Sequence, residues 1–184
     1  MREEKEDLEA LAERAAGGDE EAFRDIYESL LDPVFRYFYW SLGSYEDAED
    51  LTEETFVRCL AAIGRFDRRK ASLRTWVFVI ARNVLVDHLR AKGKVKTEAL
   101  ESAGEVPTAG VEARWEEEER DRKVREALRE LPEAHRQVLV MRYFLEMDNG
   151  EIARVLGRTP GAVNALRIRA LRRLGKVLEK KGWL

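Results

Sequence analysis

An all-α protein, two small helical domains joined by a flexible linker with the C-terminal one a helix-turn-helix, is the fold class this sequence predicts. Three observations carry the reading. Apolar residues recur at intervals of three and four through most of the chain, no strand-like alternation of useful length interrupts them, and a segment poor in large apolar residues separates two runs of helical pattern. With 184 residues, the chain has length for two small domains, each burying a modest core.

Residues 1–18 are acidic and form an N-terminal extension, either disordered or a short helix around Leu8 and Leu11. The first domain spans residues 19–92. Asp19 caps its opening helix, which gathers Phe23, Ile26, Tyr27, Leu30 and Leu31 on one face. Pro33 restarts a helix that is rich in aromatics as far as Leu42. The strongest amphipathic period comes next: Ala48, Leu51, Thr52, Thr55, Phe56, Cys59, Leu60 and Ile63 fall on one side, with charge on the other. After a basic loop, 64–71, Ser72 caps a helix whose buried face is Leu73, Trp76, Val77, Ile80, Ala81, Val84 and Leu85. Phe78, Val79 and Val86 widen that face, which predicts a central helix.

The linker, 93–113, carries Gly104, Pro107 and Gly110. A coil of that length spans roughly 25 Å on average, enough to let two domains sit on separate sites. Helical pattern resumes in the second domain, 114–184, with breaks at Pro132, at 148–150 and at Gly157.

Composition narrows the function. A single cysteine, Cys59, excludes an internal disulfide, and two scattered histidines, His88 and His135, fall short of a zinc site, so no metal or cofactor is expected. No run approaches the roughly 18 apolar residues needed to cross a bilayer, and the acidic start is unlike a secretion signal. The expectation is a soluble, cytoplasmic protein that is not an enzyme, since no His, Cys or carboxylates cluster as a catalytic set.

The net charge of −3 hides a strong segregation. Residues 65–96 hold ten Lys or Arg against two acids, and residues 152–181 hold nine against one, about +8 in each block. Residues 98–121 between them carry about −7. Two basic surfaces separated by acidic material point to nucleic acid as the ligand of both.

The sharpest motif is NGEIARVLGRTPGAVNALRI, residues 149–168. Ile152, Ala153, Leu156, Gly157, Val163 and Leu166 stand at helix-turn-helix spacing: Ala153 is small where the second helix crosses, and Gly157 supplies the positive φ of the turn. The second helix is then left with Pro160, Gly161, Asn164, Ala165 and Ile168 facing a major groove. Asn164 suits an adenine edge, and Ala165 and Ile168 suit a thymine methyl. Arg158 and Thr159 are placed to hold a phosphate at the helix entrance, with Arg169, Arg172, Arg173 and Lys176 continuing the track.

In the first domain Asp47, Glu49, Asp50, Glu53 and Glu54 form an acidic stripe with no base among them, which predicts a positively charged protein partner. The loop residues Arg65, Arg68, Arg69 and Lys70, with Arg74, Asn83, Asp87 and Arg90 on the following helix, form the other nucleic-acid surface and suit a single strand. Trp76 and Phe78 are read as core rather than stacking platforms.

Three blocks together resemble the extracytoplasmic function (ECF) sigma factors of the sigma-70 family of bacterial RNA polymerase: DAEDLTEETFVRCL (47–60), SLRTWVFVIARNVLVDHLR (72–90) and LPEAHRQVLVMRYFLEMDNGEIARVLGRTPGAVNALRIRAL (131–171). The resemblance implies that 19–92 is a sigma region 2 domain. Its stripe of Asp47, Glu49, Asp50, Glu53 and Glu54 would dock on the clamp of the largest subunit of core RNA polymerase. Its residues Arg65, Arg68, Arg69, Lys70, Arg74, Asn83, Asp87 and Arg90 would hold the melted minus-ten strand. Residues 114–184 would be a region 4 domain reading the duplex minus-thirty-five element of promoter DNA through Arg158, Thr159, Pro160, Gly161, Asn164, Ala165, Ile168, Arg169 and Arg172. The resemblance further implies an anti-sigma factor as a regulatory partner. Where the family often has a lysine or arginine, this chain has Asn164, which leaves the element's sequence undefined. The alternative from the residues alone is a free-standing regulator binding a duplex operator, which leaves the acidic stripe and the first basic surface without a role.

Overall fold

The computed structural model describes the backbone of residues 2–95 and 112–183 and the side chains of residues 8–93 and 119–183. The expected linker and most of its acidic run lie outside the described side chains. Eight α-helices, one 3₁₀ segment and one π-helical turn make up the regular structure of the described residues, with no strand among them.

Helix α1, Arg2–Ala16, buries Leu11, Ala12 and Ala15 against the rest of the first domain. The extension is therefore a helix, packed on α2 and α4. Helix α2, Glu20–Leu42, starts where Asp19 accepts the Ala22 N–H at 3.1 Å and stops at Gly43, whose φ of 72° lets its N–H reach the Tyr39 carbonyl at 2.8 Å.

The sequence predicts a restart at Pro33, but α2 runs through it unbroken. An interior proline costs about 3 kcal/mol through a lost N–H bond and a ring clash. Leu30, Val34, Tyr37 and Phe38 flank it on the buried face, at 2% exposure or less, and burying each large apolar side chain returns roughly 1.5–3 kcal/mol. Packing outweighs the local break.

Helix α3, Tyr45–Ala62, is capped by Ser44 and buries Ala48, Leu51, Thr52, Thr55, Phe56 and Cys59. Its buried threonines are satisfied by bonding one turn back, Thr52 to the Ala48 carbonyl at 2.6 Å and Thr55 to that of Leu51 at 2.7 Å. Leu60 departs from the expected apolar side: it is 58% exposed beside Val57 at 67%. The domain core ends at Cys59 and Ile63, and Leu60 lies about 100° from Cys59 around the helix. A one-turn 3₁₀ segment, Ile63–Arg65, leads to the basic loop, and α4, Leu73–Val95, comes next with Ser72 accepting the Thr75 N–H at 3.3 Å. Helix α4 passes Gly93, the expected start of the linker.

The second domain comprises α5, Glu112–Arg129; α6, Glu133–Leu139; a π-helical turn, Val140–Phe144; α7, Asn149–Leu156; and α8, Pro160–Lys180. The wide turn is closed by the Leu145 N–H on the Val140 carbonyl at 3.2 Å. It passes through Glu146, a non-glycine residue at φ 54°, into a reciprocal capping box between Asp148 and Glu151. Gly157 has φ 63°, the positive value that the turn between α7 and α8 needs.

The two domains are packed on one another. Helix α2 meets α5 and the π-helical turn, and α4 meets α7, so the buried residues form one continuous cluster. Along this seam Trp40 lies on Phe144 with ring centroids 4.0 Å apart. Arg125 covers Tyr39 and Trp40 at 4.7 and 5.4 Å, and the Arg129 side chain lies so near Gly43 that a Cβ there would stand 3.1 Å from its Cδ. Within the same region the buried Tyr37 hydroxyl and Arg82 Nε have no hydrogen-bond partner. Each such group costs roughly 1–3 kcal/mol of desolvation.

Candidate nucleic-acid interface

Helices α7 and α8 form the bihelical unit that the motif predicts. Ile152, Ala153, Leu156, Val163 and Leu166 are all buried, Ile152 and Val163 completely. Thr159 caps α8 by accepting the Ala162 N–H at 3.2 Å, and Pro160 occupies the first turn, where its missing N–H costs nothing. This geometry leaves Arg158, Thr159, Pro160, Gly161, Asn164, Ala165, Ile168, Arg169 and Arg172 all exposed, as a groove-reading face requires. Ile168 keeps 41% of its surface in water. Asn164 Oδ1 accepts from Arg167 at 2.9 Å, which orients the amide.

Beside this face, a groove of about 510 Å³ is lined by Arg169, Arg172, Arg173, Lys176 and Lys180, with His135 contributed by α6. Partial burial, then Arg173 and Arg169, hold the His135 ring below its ordinary value of 6.5. The unfolded chain therefore takes up this proton first as pH falls. Stability from the neutral ring is complete above the unfolded value and is lost as pH falls through the lower folded value. Thermal midpoints of the wild-type chain should fall more steeply between about pH 7 and pH 5 than those of His135→Gln. Equal slopes in a calorimetric pH series would exclude the effect.

In the first domain Arg65, Arg68, Arg69, Lys70, Asn83, Asp87 and Arg90 are exposed, and Arg74 is half-buried. Several are already engaged. Arg68 pairs with Glu13 of α1 at 2.9 Å, and Arg69 grips Asp67 at 2.9 and 3.0 Å, holding that carboxyl down to about 2. Asp87 accepts from Arg58 at 3.0 Å, and Arg74 donates to the Leu145 carbonyl of the second domain at 2.5 Å. Arg65, Lys70, Asn83 and Arg90 make no such contact among the described residues. Phe78 is fully buried, whereas Trp76 is only partly buried, packing against the edge of the core and on Phe66 at 5.6 Å.

The acidic stripe is narrower than its spacing suggests. Asp47 faces α4 instead of water: Lys92 Nζ lies 2.7 Å and His88 Nε2 3.7 Å away. Burial alone would raise its carboxyl, but the bond from Lys92 and the nearby His88 and Ser44 hold it below the ordinary value. Glu54 is bonded to Arg58, a base on the same helix. Glu49, Asp50 and Glu53 remain exposed and unpaired among the described residues, and Val57 and Leu60 extend their face with apolar surface. Exposed β-branched or leucyl side chains one turn past an acidic run were the signal available in the sequence for that extension.

A helix-turn-helix unit with an exposed, basic second helix in one domain, and a basic surface beside an acidic face in the other, are the features of the class of helical DNA-binding proteins. The Sigma-70 region 2 family model matches residues 26–95 and the Sigma-70, region 4 model matches residues 121–174. The chain is 31% identical over 157 residues to the ECF RNA polymerase sigma factor SigW of Bacillus subtilis, covering 79% of this chain and 83% of that protein. It is 33% identical over 171 residues to the ECF RNA polymerase sigma factor BldN of Streptomyces coelicolor, covering 91% of this chain and 64% of BldN. A solved structure of CnrH in complex with the cytosolic domain of CnrY is similar with a TM-score of 0.70 and 26% identity, covering 93% of this chain and 96% of that one. The sigma factor RpoE of Bartonella quintana, solved with the anti-sigma factor NepR, shares the fold at TM-score 0.69 and 20% identity, covering 85% and 96% of the two chains. The chain belongs to the ECF group of sigma-70 family sigma factors, the transcription initiation factors that direct RNA polymerase. No helix among the described residues is long and apolar enough to cross a membrane.

Proposed function

We propose that this sigma factor divides promoter recognition between its two domains, 19–92 and 114–184, with the linker of 93–113 setting their reach. The outward face of α3, with Glu49, Asp50 and Glu53 at its centre and Val57 and Leu60 beyond, docks on the clamp of the largest polymerase subunit. Asp47 and Glu54 support that face through Lys92 and Arg58. Arg65, Arg68, Arg69, Lys70, Arg74, Asn83, Asp87 and Arg90 hold the melted minus-ten strand, with phosphates on the loop and a base against the polar face of α4. Helix α8 reads the minus-thirty-five duplex through Asn164, Ala165 and Ile168, while Arg158, Thr159, Arg169 and Arg172 hold phosphates and Pro160 and Gly161 allow close approach. An anti-sigma factor is the expected regulator, in keeping with the complexes in which CnrH and RpoE were solved. Bond making in RNA synthesis belongs to the polymerase, and the factor works in the cytoplasm.

The observation that carries this reading is that every residue assigned to the groove is exposed, on a bihelical unit whose core is buried and whose turn has the required positive φ. A free-standing regulator would share that unit, but it gives the exposed carboxylates of α3 nothing to do. Run-off transcription with bacterial core polymerase on a promoter library tests the proposal: defined start sites appear only when the chain is added. On the selected promoter, Asn164→Ala should cost about 1–3 kcal/mol at one base pair of the upstream element and relax the preference there. Absence of initiation on every template, or unchanged preference in the variant, would remove the assignment.

A further inference from the structure

On α5 the basic side chains are answered by acids: Arg122 holds Glu119 at 2.7 Å and Glu126 at 2.9 Å, and Lys123 lies 3.4 Å from Glu119. The second half of α8 differs. Arg169, Arg172, Arg173, Lys176 and Lys180 line the groove against α6, and none of the five pairs with an acid among the described residues. The one carboxylate in the groove wall, Glu130 of α5, is already committed to Lys181 at 2.8 Å. Five like charges along about 16 Å of helix repel one another until an anion lies among them. His135 of α6 forms the opposite wall, with its Nδ1 buried and unpartnered. Its neighbours on α6 do not compensate: Glu133 accepts from Gln137 at 2.7 Å, and Arg136 is partly buried beside Glu133 and Tyr37. The groove is also continuous with the reading face, because Arg169 and Arg172 belong to both. Helix α8, at 21 residues, is about 31 Å long and outruns a major groove roughly 12 Å wide, so its second half passes the flanking backbone.

We propose that the groove between α6 and α8 seats the sugar-phosphate backbone of the duplex that α8 reads, and that His135 joins the contact as an imidazolium, so that duplex binding takes up a proton. The proposal rests on the duplex-reading role given to α8 above and adds a site outside the face assigned to it. In the free chain Arg173 and Arg169 repel a proton on the ring, which stays neutral at pH 7. A phosphate in the groove reverses that field, screening both guanidinium groups and attracting the proton. The bound ring therefore titrates above the free one. Binding strengthens as pH falls through the bound value and levels off below the free value. A rise of about one pH unit makes the duplex about fivefold tighter at about pH 6 than at about pH 8.

The intact chain tests this with a short random-sequence duplex at constant ionic strength, since such binding depends on phosphates. His88 is the only other histidine, so the untagged His88→Gln chain identifies the His135 ring signal in magnetic resonance spectra. The midpoint of that signal's titration should rise by about one pH unit when duplex saturates the chain. His135→Gln should bind within about twofold of wild type at about pH 8 and about fivefold more weakly at about pH 6. Arg173→Gln should lower the slope of log affinity against log salt by about one. If His135→Gln loses helical circular dichroism, the ring titration of the chain that retains His135 decides the matter. A midpoint unmoved by saturating duplex overturns the groove contact and leaves the reading role of α8 in place. A midpoint that moves with inorganic tripolyphosphate but not with duplex assigns the groove to a free oligophosphate and overturns the proposal as well. Failure to bind duplex at either pH rejects the reading role of α8 and the groove contact together.

Discussion

A chain carrying Asp50→Arg and Glu53→Arg together is expected to lose at least about 100-fold in affinity for core polymerase while keeping its fold and its duplex binding. Both side chains are exposed on α3 and neither is paired among the described residues, so reversal removes no internal contact. Stability should move by no more than about 0.5 kcal/mol. The loss arises because two attractive charge pairs become two repulsive ones at a docking face, where like charges cost several kcal/mol. The companion change Glu49→Arg should add to the defect. Asp47→Arg should act differently, because it strands Lys92 and His88 and lowers stability as well as binding. Co-purification with tagged core enzyme measures the first effect, and retention of the double variant at wild-type yield would mean that another surface docks.

Phe78→Ala should be the most damaging single substitution in the first domain. The ring is fully buried, meets Tyr37 edge-on at a centroid distance of 5.8 Å, and lies beneath Arg74 at 5.9 Å. Truncating a buried phenylalanine costs about 3–5 kcal/mol, a large part of the 5–15 kcal/mol that holds a typical domain together. Chemical denaturation should show a lower midpoint, with duplex binding by α8 less affected than polymerase binding. A change below about 1 kcal/mol would show that the site collapses to fill the space.

Local chemistry was legible in the sequence, and contacts across helices were not. The Asp19 cap, the Gly157 turn and the five core positions of the bihelical unit each depend on residues within a few places of one another, and the structure reproduces them. Asp47 reads as one more acid in a stripe until α4 is placed beside it, because the partner that turns it inward is Lys92, far along the chain. Leu60 fits a three-and-four spacing but falls past the point where a neighbouring helix covers the face. Trp40 falls in the aromatic-rich stretch that ends at Leu42 and no local pattern singles out Phe144, so nothing local says that they meet. Pro33 shows the opposite error, a strong local signal overruled by the burial on either side. The capping box of Asp148 and Glu151 was readable as an acid pair three apart. Glu146 at positive φ was not, because no glycine marks the place.

The wide turn at Val140–Phe144 holds one residue more per winding than an ordinary helix would. Winding the same residues as an ordinary α-helix, at about 100° each, would turn the downstream helices out of their present phase. That shift would carry the Phe144 ring out of phase with α2 while α7 and α8 kept their own mutual register. One peptide unit thus works as a phase setting between the two halves of the chain, and its length, more than the chemistry of any side chain on it, decides whether they can lie face to face.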